Sequence, residues 1–223
     1  EIVVGDLLDR TRRAAELAPD LIVWPETAAP IVLLQEPEYL ARVEETVREG
    51  GIPLLAGTLD HRLVNGQYVA HNSAALFDPQ GRLVDRYDKQ RLVPFSERMP
   101  FQRTVPWLSG LNFGQSDFSP GERLVCFPVA ADRIGCLICF ESIFPDMSRR
   151  FVAAGANLLL NITNDFLGMS AGERLALLRI QRCPAGKDCA NPVACPLRQA
   201  RIGEALRQHK EDLGLLVTLE VGK

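Results

Sequence analysis

The sequence predicts a mixed α/β (α+β) fold in which sheets are covered by helices on one side and packed on another sheet. Three observations carry this. Short all-apolar runs such as Leu21-Ile22-Val23-Trp24 have the length and composition of strands buried on both faces. Segments with apolar residues at helical spacing alternate with these runs. Turn signals such as Asp78-Pro79-Gln80-Gly81 also join neighbouring strands directly, and such hairpins fit poorly with a purely parallel, doubly wound sheet.

Asp6 to Ala18 places Leu7, Leu8, Ala14, Ala15 and Leu17 among charged residues, the pattern of an amphipathic helix, which Pro19-Asp20 ends. The strand Leu21–Trp24 follows and stops at Pro25-Glu26-Thr27. Tyr39 to Arg48 predicts a second helix, closed by Gly50-Gly51, and Pro53 to Thr58 a second buried strand. Tyr68–Phe77 and Leu83–Tyr87 flank the Asp78–Gly81 turn as a hairpin. An irregular Pro- and Gly-rich stretch runs from Pro94 to Gly121. Leu124–Val129 and Ile134–Phe140 predict another strand pair, Pro145–Ala154 a helix, and Leu158–Thr163 a further buried strand. Near the C-terminus, Leu197–Lys210 reads as helical and Leu213–Leu219 as a strand, whereas 183–196 has no clear period.

Composition narrows the function classes. With 47% hydrophobic residues in 223 and 25 Lys+Arg against 28 Asp+Glu, the chain has material for a continuous core and lacks the signature of disorder. A net charge of −3 argues against a nucleic-acid-binding face. The longest uncharged stretch, Phe151 to Asn164, is shorter than the ~18 apolar residues of a membrane-spanning helix. The chain begins Glu1-Ile2-Val3, with neither Met nor a signal-like region, and is expected to be a piece of something longer. Its six cysteines form no disulfide framework. Cys136 and Cys139, three apart on a strand, point to opposite faces and make a poor redox pair. Cys183, Cys189 and Cys195 match no common zinc spacing. No metal or cofactor is expected.

Three reactive groups stand just after apolar strands, where α/β folds present functional side chains. Glu26 lies at the lip of the first strand beside Trp24, where burial disfavours its charge and suits it to act as a general base. The alternative is an ordinary solvated turn glutamate. Lys89, the only lysine before residue 187, can supply hydrogen bonds to a developing oxyanion; the alternative is a surface lysine after a hairpin. Cys139 leaves a strand ahead of the helix at Pro145, where a nearby cation or helix N-terminus would lower its pKa. The alternative there is a buried core cysteine. Together they name a base, a cation and a thiolate, the set needed for acyl transfer through a thioester. None of His61, His71 and His209 has a nucleophile-like setting.

With their neighbours these residues resemble the nitrilase (carbon–nitrogen hydrolase) superfamily, most closely its lipoprotein N-acyltransferase branch. The segments that carry the resemblance are Trp24-Pro25-Glu26-Thr27, Asn72-Ser73, Tyr87-Asp88-Lys89 through Leu92-Val93-Pro94-Phe95-Ser96-Glu97, Ile138-Cys139-Phe140-Glu141, and Asn161-Ile162-Thr163-Asn164-Asp165. The resemblance implies a four-layer α-β-β-α sandwich, truncated here at both ends. It is clear over about residues 6–165 of a catalytic domain at 1–182, and the tail 183–223 has no recognisable family pattern. It also implies a helix over Ala171–Arg182. Glu26, Lys89 and Cys139 would be base, oxyanion stabiliser and nucleophile; Glu97 would orient Lys89 or the base, and Glu141 would fix the loop after the nucleophile. The implied reaction moves a fatty acyl group from a phospholipid, through a thioester on Cys139, to the N-terminal amine of a diacylglyceryl-cysteine lipoprotein. It would occur at the periplasmic side of a bacterial inner membrane, the membrane being reached through segments absent from this chain. An apolar groove is required, for which Met99, Phe101, Val105, Trp107, Leu108, Leu111 and Phe113 are candidates, ordinary core packing being their alternative. The competing readings are a soluble amidase that uses the same three residues with water as acceptor, and an inactive fragment that retains the fold.

Overall fold

The strand Leu21–Trp24, wholly buried, has apolar side chains on both faces, so the sheet that contains it must be covered twice. The computed structural model describes residues 2–29, 31–64, 66–98, 117–164 and 176–178. In chain order the elements are α1 (Ile2–Glu16), β1 (Leu21–Trp24), a 3-10 turn (Leu33–Gln35), α2 (Pro37–Gly50), β2 (Leu54–Val64), β3 (Gln67–Phe77) and β4 (Leu83–Asp88). There follow β5 (Cys126–Val129), β6 (Asp132–Ile138), a second 3-10 turn (Cys139–Ile143), α3 (Pro145–Ala153), β7 (Leu158–Ile162) and β8 (Ala176–Leu178). One sheet has the order β4-β3-β2-β1-β8 and the other β5-β6-β7.

Alternation along the strands divides the apolar residues between two cores. Ile22, Trp24, Leu54, Ala56, Ala75 and Phe77 pack with Leu7, Leu8, Val43 and Val47 of α1 and α2. Leu21, Val23, Leu55, Ala74, Leu76 and Tyr87 face the other way, into a cluster with Phe127, Ile134, Leu137 and Leu160 of the second sheet and Met147 and Phe151 of α3. The layers are therefore helix, sheet, sheet, helix, the four-layer sandwich expected. Burying the indole of Trp24 requires a partner for its N–H, and Nε1 donates to Thr11 Oγ1 at 2.9 Å. The end of α2 is set by Gly51, which adopts φ +64° and donates its N–H to the Val47 carbonyl.

Several boundaries differ from the sequence reading. Helix α1 starts at Ile2 rather than Asp6, and β6 stops at Ile138, so Cys139 stands on a turn rather than in the strand. β2 runs past Thr58 to Val64 and pairs with β3 from Leu54↔Phe77 to Val64↔Gln67. The charges in this extension are paired: fully buried Asp60 meets Arg62 Nε at 2.8 Å and Arg86 Nη1 at 3.1 Å and accepts from Gln35 Nε2 at 2.7 Å. Ala176–Leu178, placed within an implied helix, is instead a strand antiparallel to β1, with Leu21 opposite Leu178. So short an apolar run satisfies either period, and pairing with the free side of β1 decides it. The candidate groove residues from Met99 to Phe113, the boundary at 182/183 and the C-terminal helix and strand lie outside the described residues.

Gly135, in β6, allows the second sheet to sit close to α3. A Cβ there would lie 2.8 Å from both Leu159 Cδ2 and the Phe151 ring. Gly135→Ala therefore overpacks the core and is expected to cost about 1–3 kcal/mol, read as a lower melting temperature by calorimetry.

Candidate active site

Glu26, Lys89 and Cys139 are brought together at the ends of β1, β4 and β6. Glyine-sized space builds two of those ends. A Cβ on Gly57 of β2 would stand 2.0 Å from the Pro25 carbonyl oxygen and 2.8 Å from Glu26 Cα, so only glycine lets the chain carrying Glu26 pass there. Gly121 plays the same part beside β4: its Cβ would fall 2.2 Å from the Asp88 carbonyl oxygen, and its N–H donates to the Lys89 carbonyl at 2.8 Å.

The ammonium of Lys89, 1% exposed, lies between two carboxylates. Its Nζ donates to Glu97 Oε1 at 2.8 Å and to Glu26 Oε1 at 3.2 Å. Asn72 Nδ2 donates to the same two oxygens, at 2.7 Å to Glu26 and 3.2 Å to Glu97. The remaining oxygens are held by backbone: Glu97 Oε2 accepts from Val93 N–H at 2.8 Å, and Glu26 Oε2 from Asn164 N–H at 3.0 Å. Although burial opposes its charge, the two glutamates hold Lys89 above its ordinary pKa, and Cys139 adds to the effect. The site cation is therefore a permanent ammonium at neutral pH.

Glu141 is fully buried and ties the turn after Cys139 to the loop after Lys89. Its Oε1 accepts from Tyr87 Oη, Gln90 N–H and Arg91 N–H at 2.8, 2.7 and 3.1 Å, and its Oε2 from Ile138 N–H at 2.9 Å. Burial nevertheless leaves its carboxyl above the usual range, and the same burial, with Glu141 beside it, pushes the Tyr87 phenol far up. The carboxylate thus splints two loops that carry reactive groups.

Cys139 is half-buried and has φ +51°. A non-glycine residue there is strained by about 1 kcal/mol or more; Thr27, next to Glu26, and Phe95, near Glu97, share this conformation at +45° and +64°. The electrostatics around Cys139 reverse the sequence expectation of a lowered pKa. Burial and the Glu26 carboxylate push the thiol up, and the opposing influences of a Thr163 hydrogen bond, Lys89 and the Phe140 N–H are weaker. At neutral pH this direction favours the thiol over the thiolate. Cys136, fully buried, is pushed higher still by burial, and β6 ends between the two sulfurs, so the formal C-x-x-C is no redox pair.

The opposite face of the first sheet supports the site from behind. Side chains alternate along β3 and β4, so Ser73 and Asp88 point toward the helices while Asn72 and Lys89 point toward the second sheet. Ser73 Oγ donates to Asp88 Oδ1 at 2.7 Å, and Arg62 pairs with the other oxygen. His71 shares that rear face. Its Nδ1 bonds to the Ser119 carbonyl, and burial, then Arg62, lowers its pKa. In the sequence Asn72 and Thr163 carry the family resemblance without a role of their own. The available signal for Asn72 was a polar pair, Asn72-Ser73, within a run otherwise fit for burial.

A family model described as carbon–nitrogen hydrolase matches residues 3–184. The chain is similar to a protein named apolipoprotein N-acyltransferase from Geobacter metallireducens, 41% identical over 156 residues, or 70% of this chain and 30% of that relative. A protein of the same name from Chlorobaculum tepidum is 36% identical over 203 residues, 77% of this chain and 38% of the relative. The chain therefore spans about a third of the length of these curated relatives. Among solved structures it resembles a carbon–nitrogen hydrolase from Helicobacter pylori G27, with a TM-score of 0.55 at 17% identity, covering 72% of this chain and 54% of that one. An amidase from Nesterenkonia sp. gives 0.52 at 21% identity, covering 74% and 60%. At these identities the likeness is one of fold. The chain belongs to the carbon–nitrogen hydrolase family.

The sources of the thiol's raised pKa can be separated by pH-dependent alkylation with iodoacetamide, followed peptide by peptide. Glu26→Gln removes a carboxylate that opposes the thiolate, so the Cys139 midpoint moves to lower pH. Thr163→Val removes a hydrogen bond that favours the thiolate, so the midpoint moves to higher pH. An unmoved midpoint in both variants contradicts the electrostatic account.

Proposed function

From this family membership and the site's geometry we propose that the chain is the catalytic domain of an N-acyltransferase of the carbon–nitrogen hydrolase family. The observation that carries the reading is a buried ammonium held by two carboxylates beside a cysteine on a strained turn. That arrangement supplies base, oxyanion partner and nucleophile within one site. The name and identity of the Geobacter relative support acyl transfer to a lipoprotein over hydrolysis of a small amide.

In the first half-reaction Glu26 takes the proton from Cys139, and the sulfur attacks the ester carbonyl of a phospholipid. Lys89 donates to the oxyanion of the tetrahedral intermediate. When that intermediate collapses, the departing alkoxide takes the proton from Glu26 and the acyl chain remains as a thioester. In the second half-reaction the neutral α-amine of a diacylglyceryl-cysteine attacks the thioester carbonyl, and Glu26 takes a proton from the nitrogen. The Cys139 thiolate then leaves and recovers a proton from Glu26. Glu97 holds Lys89, and Glu141 holds the turn that presents Cys139. No step calls for a metal or cofactor. The acceptor must be an amine rather than water, so the site must exclude water while the thioester stands. A phospholipid donor and a lipid-modified acceptor are consistent with a reaction at a membrane, which we read as the periplasmic side of a bacterial inner membrane. Among the described residues no helix is long and apolar enough to cross a membrane.

The test is intact-mass spectrometry after incubation with phosphatidylethanolamine and phosphatidylglycerol in detergent, followed by a peptide bearing an N-terminal diacylglyceryl-cysteine. The expected result is an acyl adduct on Cys139, sensitive to hydroxylamine, that chases into the peptide amide. Cys139→Ala abolishes both, and Glu26→Gln slows adduct formation by roughly 10²–10⁴-fold. Release of the acyl group only as free acid, together with turnover of simple amides, would instead mark an amidase.

A further inference from the structure

Asn72 has no role in the scheme above, yet its amide reaches both carboxylates that hold Lys89. Lys89 Nζ and Asn72 Nδ2 each donate to both Glu26 Oε1 and Glu97 Oε1, at distances from 2.7 to 3.2 Å. Two donors and two acceptors alternate, which makes a closed four-membered ring of hydrogen bonds. The main chain of Asn72 joins the same assembly, its carbonyl accepting from the Lys89 N–H at 2.8 Å. Asn72 is 2% exposed, and its Oδ1 is buried without a hydrogen-bond partner among the described residues. An orphaned buried acceptor costs about 1–3 kcal/mol. The site bears that cost and uses both amide N–H groups on carboxylates, an orientation that the reversed amide could not supply.

We propose that Asn72 is a positioning residue of the acyl-transfer reaction, whose amide closes this ring and thereby decides which oxygen of Glu26 serves as the base. The inference rests on the reading of Glu26 as base and Cys139 as nucleophile. A carboxylate offers about four lone-pair sites. Oε1 of Glu26 uses two of them, on Lys89 and Asn72, and Oε2 uses one on the Asn164 N–H. Among the described residues the site without a donor is on Oε2, and the proton leaving Cys139 goes there: the S–H bond breaks, an Oε2–H bond forms, and the ring stays closed. The ring also engages two of the three ammonium protons of Lys89 and leaves the third for the oxyanion. Without Asn72, Oε1 regains a lone pair, Glu26 and Glu97 repel across one shared cation, and both the base and the ammonium are free to turn. The charged and titratable groups facing this assembly are Glu26, Glu97, Lys89 and Cys139; Asp88 and Arg62 stand on the rear face of the same sheet.

The experiment follows the pre-steady-state release of p-nitrophenolate from p-nitrophenyl octanoate by the full chain, as a function of pH, in wild type, Asn72→Leu and Asn72→Asp. Leucine keeps the volume without the amide, and aspartate keeps the shape while replacing two donors by a third carboxylate. The burst rate at pH 7 is expected to fall about 10- to 100-fold in both, with the half-saturating ester concentration within about twofold of wild type. The acid limb of the profile is expected to move to higher pH, further in Asn72→Asp. Wild-type burst rates and limbs in cooperatively melting variants would overturn the proposal. So would loss of cooperative melting in both variants, which would make Asn72 a folding residue. If wild type itself gives no burst that depends on Cys139 and Glu26, the parent functional reading fails. A wild-type burst that Asn72→Leu leaves unaltered removes the Asn72 proposal alone.

Discussion

The structure turns on one buried cation. An ammonium cannot be taken from water into a sheet-bounded interior unless its charge is met there, and removing a partner from a buried pair costs about 3–5 kcal/mol. Lys89 is met twice, by Glu26 from the end of β1 and by Glu97 from the loop beyond β4. That requirement places the ends of distant strands within hydrogen-bond reach of one atom. It also fixes a pH window. The folded-state pKa of Lys89 is raised, so its pairing stabilises the fold fully below 10.5 and the contribution is lost as pH rises through the folded value.

Around this cation the chain spends its conformational strain where it is useful. Three of the non-glycine residues with positive φ are Thr27, Phe95 and Cys139, each on a loop that carries a reactive or supporting carboxylate or the thiol itself. Glycines at 57 and 121 allow backbone to pass where any Cβ would collide. The rear face of the sheet holds Asp60, Arg62, Arg86 and Asp88 in paired contacts, so the strands beneath the site are tied on both faces. Fixed dipoles and charges of this kind need no reorganisation when an oxyanion develops, which is where electrostatic catalysis has its advantage over water.

Much of this was legible in the sequence. The all-apolar runs located β1 and β7, and the residues after three strands, Glu26, Lys89 and Cys139, are ones that the fold brings together. The continuation of β2 past Thr58 is not legible there, because Asp60 and Arg62 gain their partners only in the fold. Asn65-Gly66, a strong two-residue hairpin signal, was available and passed over. The sign of the Cys139 shift was also missed: sequence places a cation nearby but cannot weigh it against burial and the Glu26 carboxylate. The sequence assigns Asn72 no role, since an amide gains its meaning only from the two carboxylates that converge on it, and their convergence is a property of the fold.

The most direct test of the buried, doubly paired cation is the charge state of Lys89 itself. Only four lysines are present, at 89, 187, 210 and 223, so selective ¹⁵N labelling with Lys89→Arg as the assignment control isolates its Nζ signal by NMR. The account predicts an ammonium that exchanges slowly with water and titrates above 10.5, the ordinary value for lysine. An Nζ signal that loses its charge below that value, or exchanges as fast as a surface lysine, would contradict it.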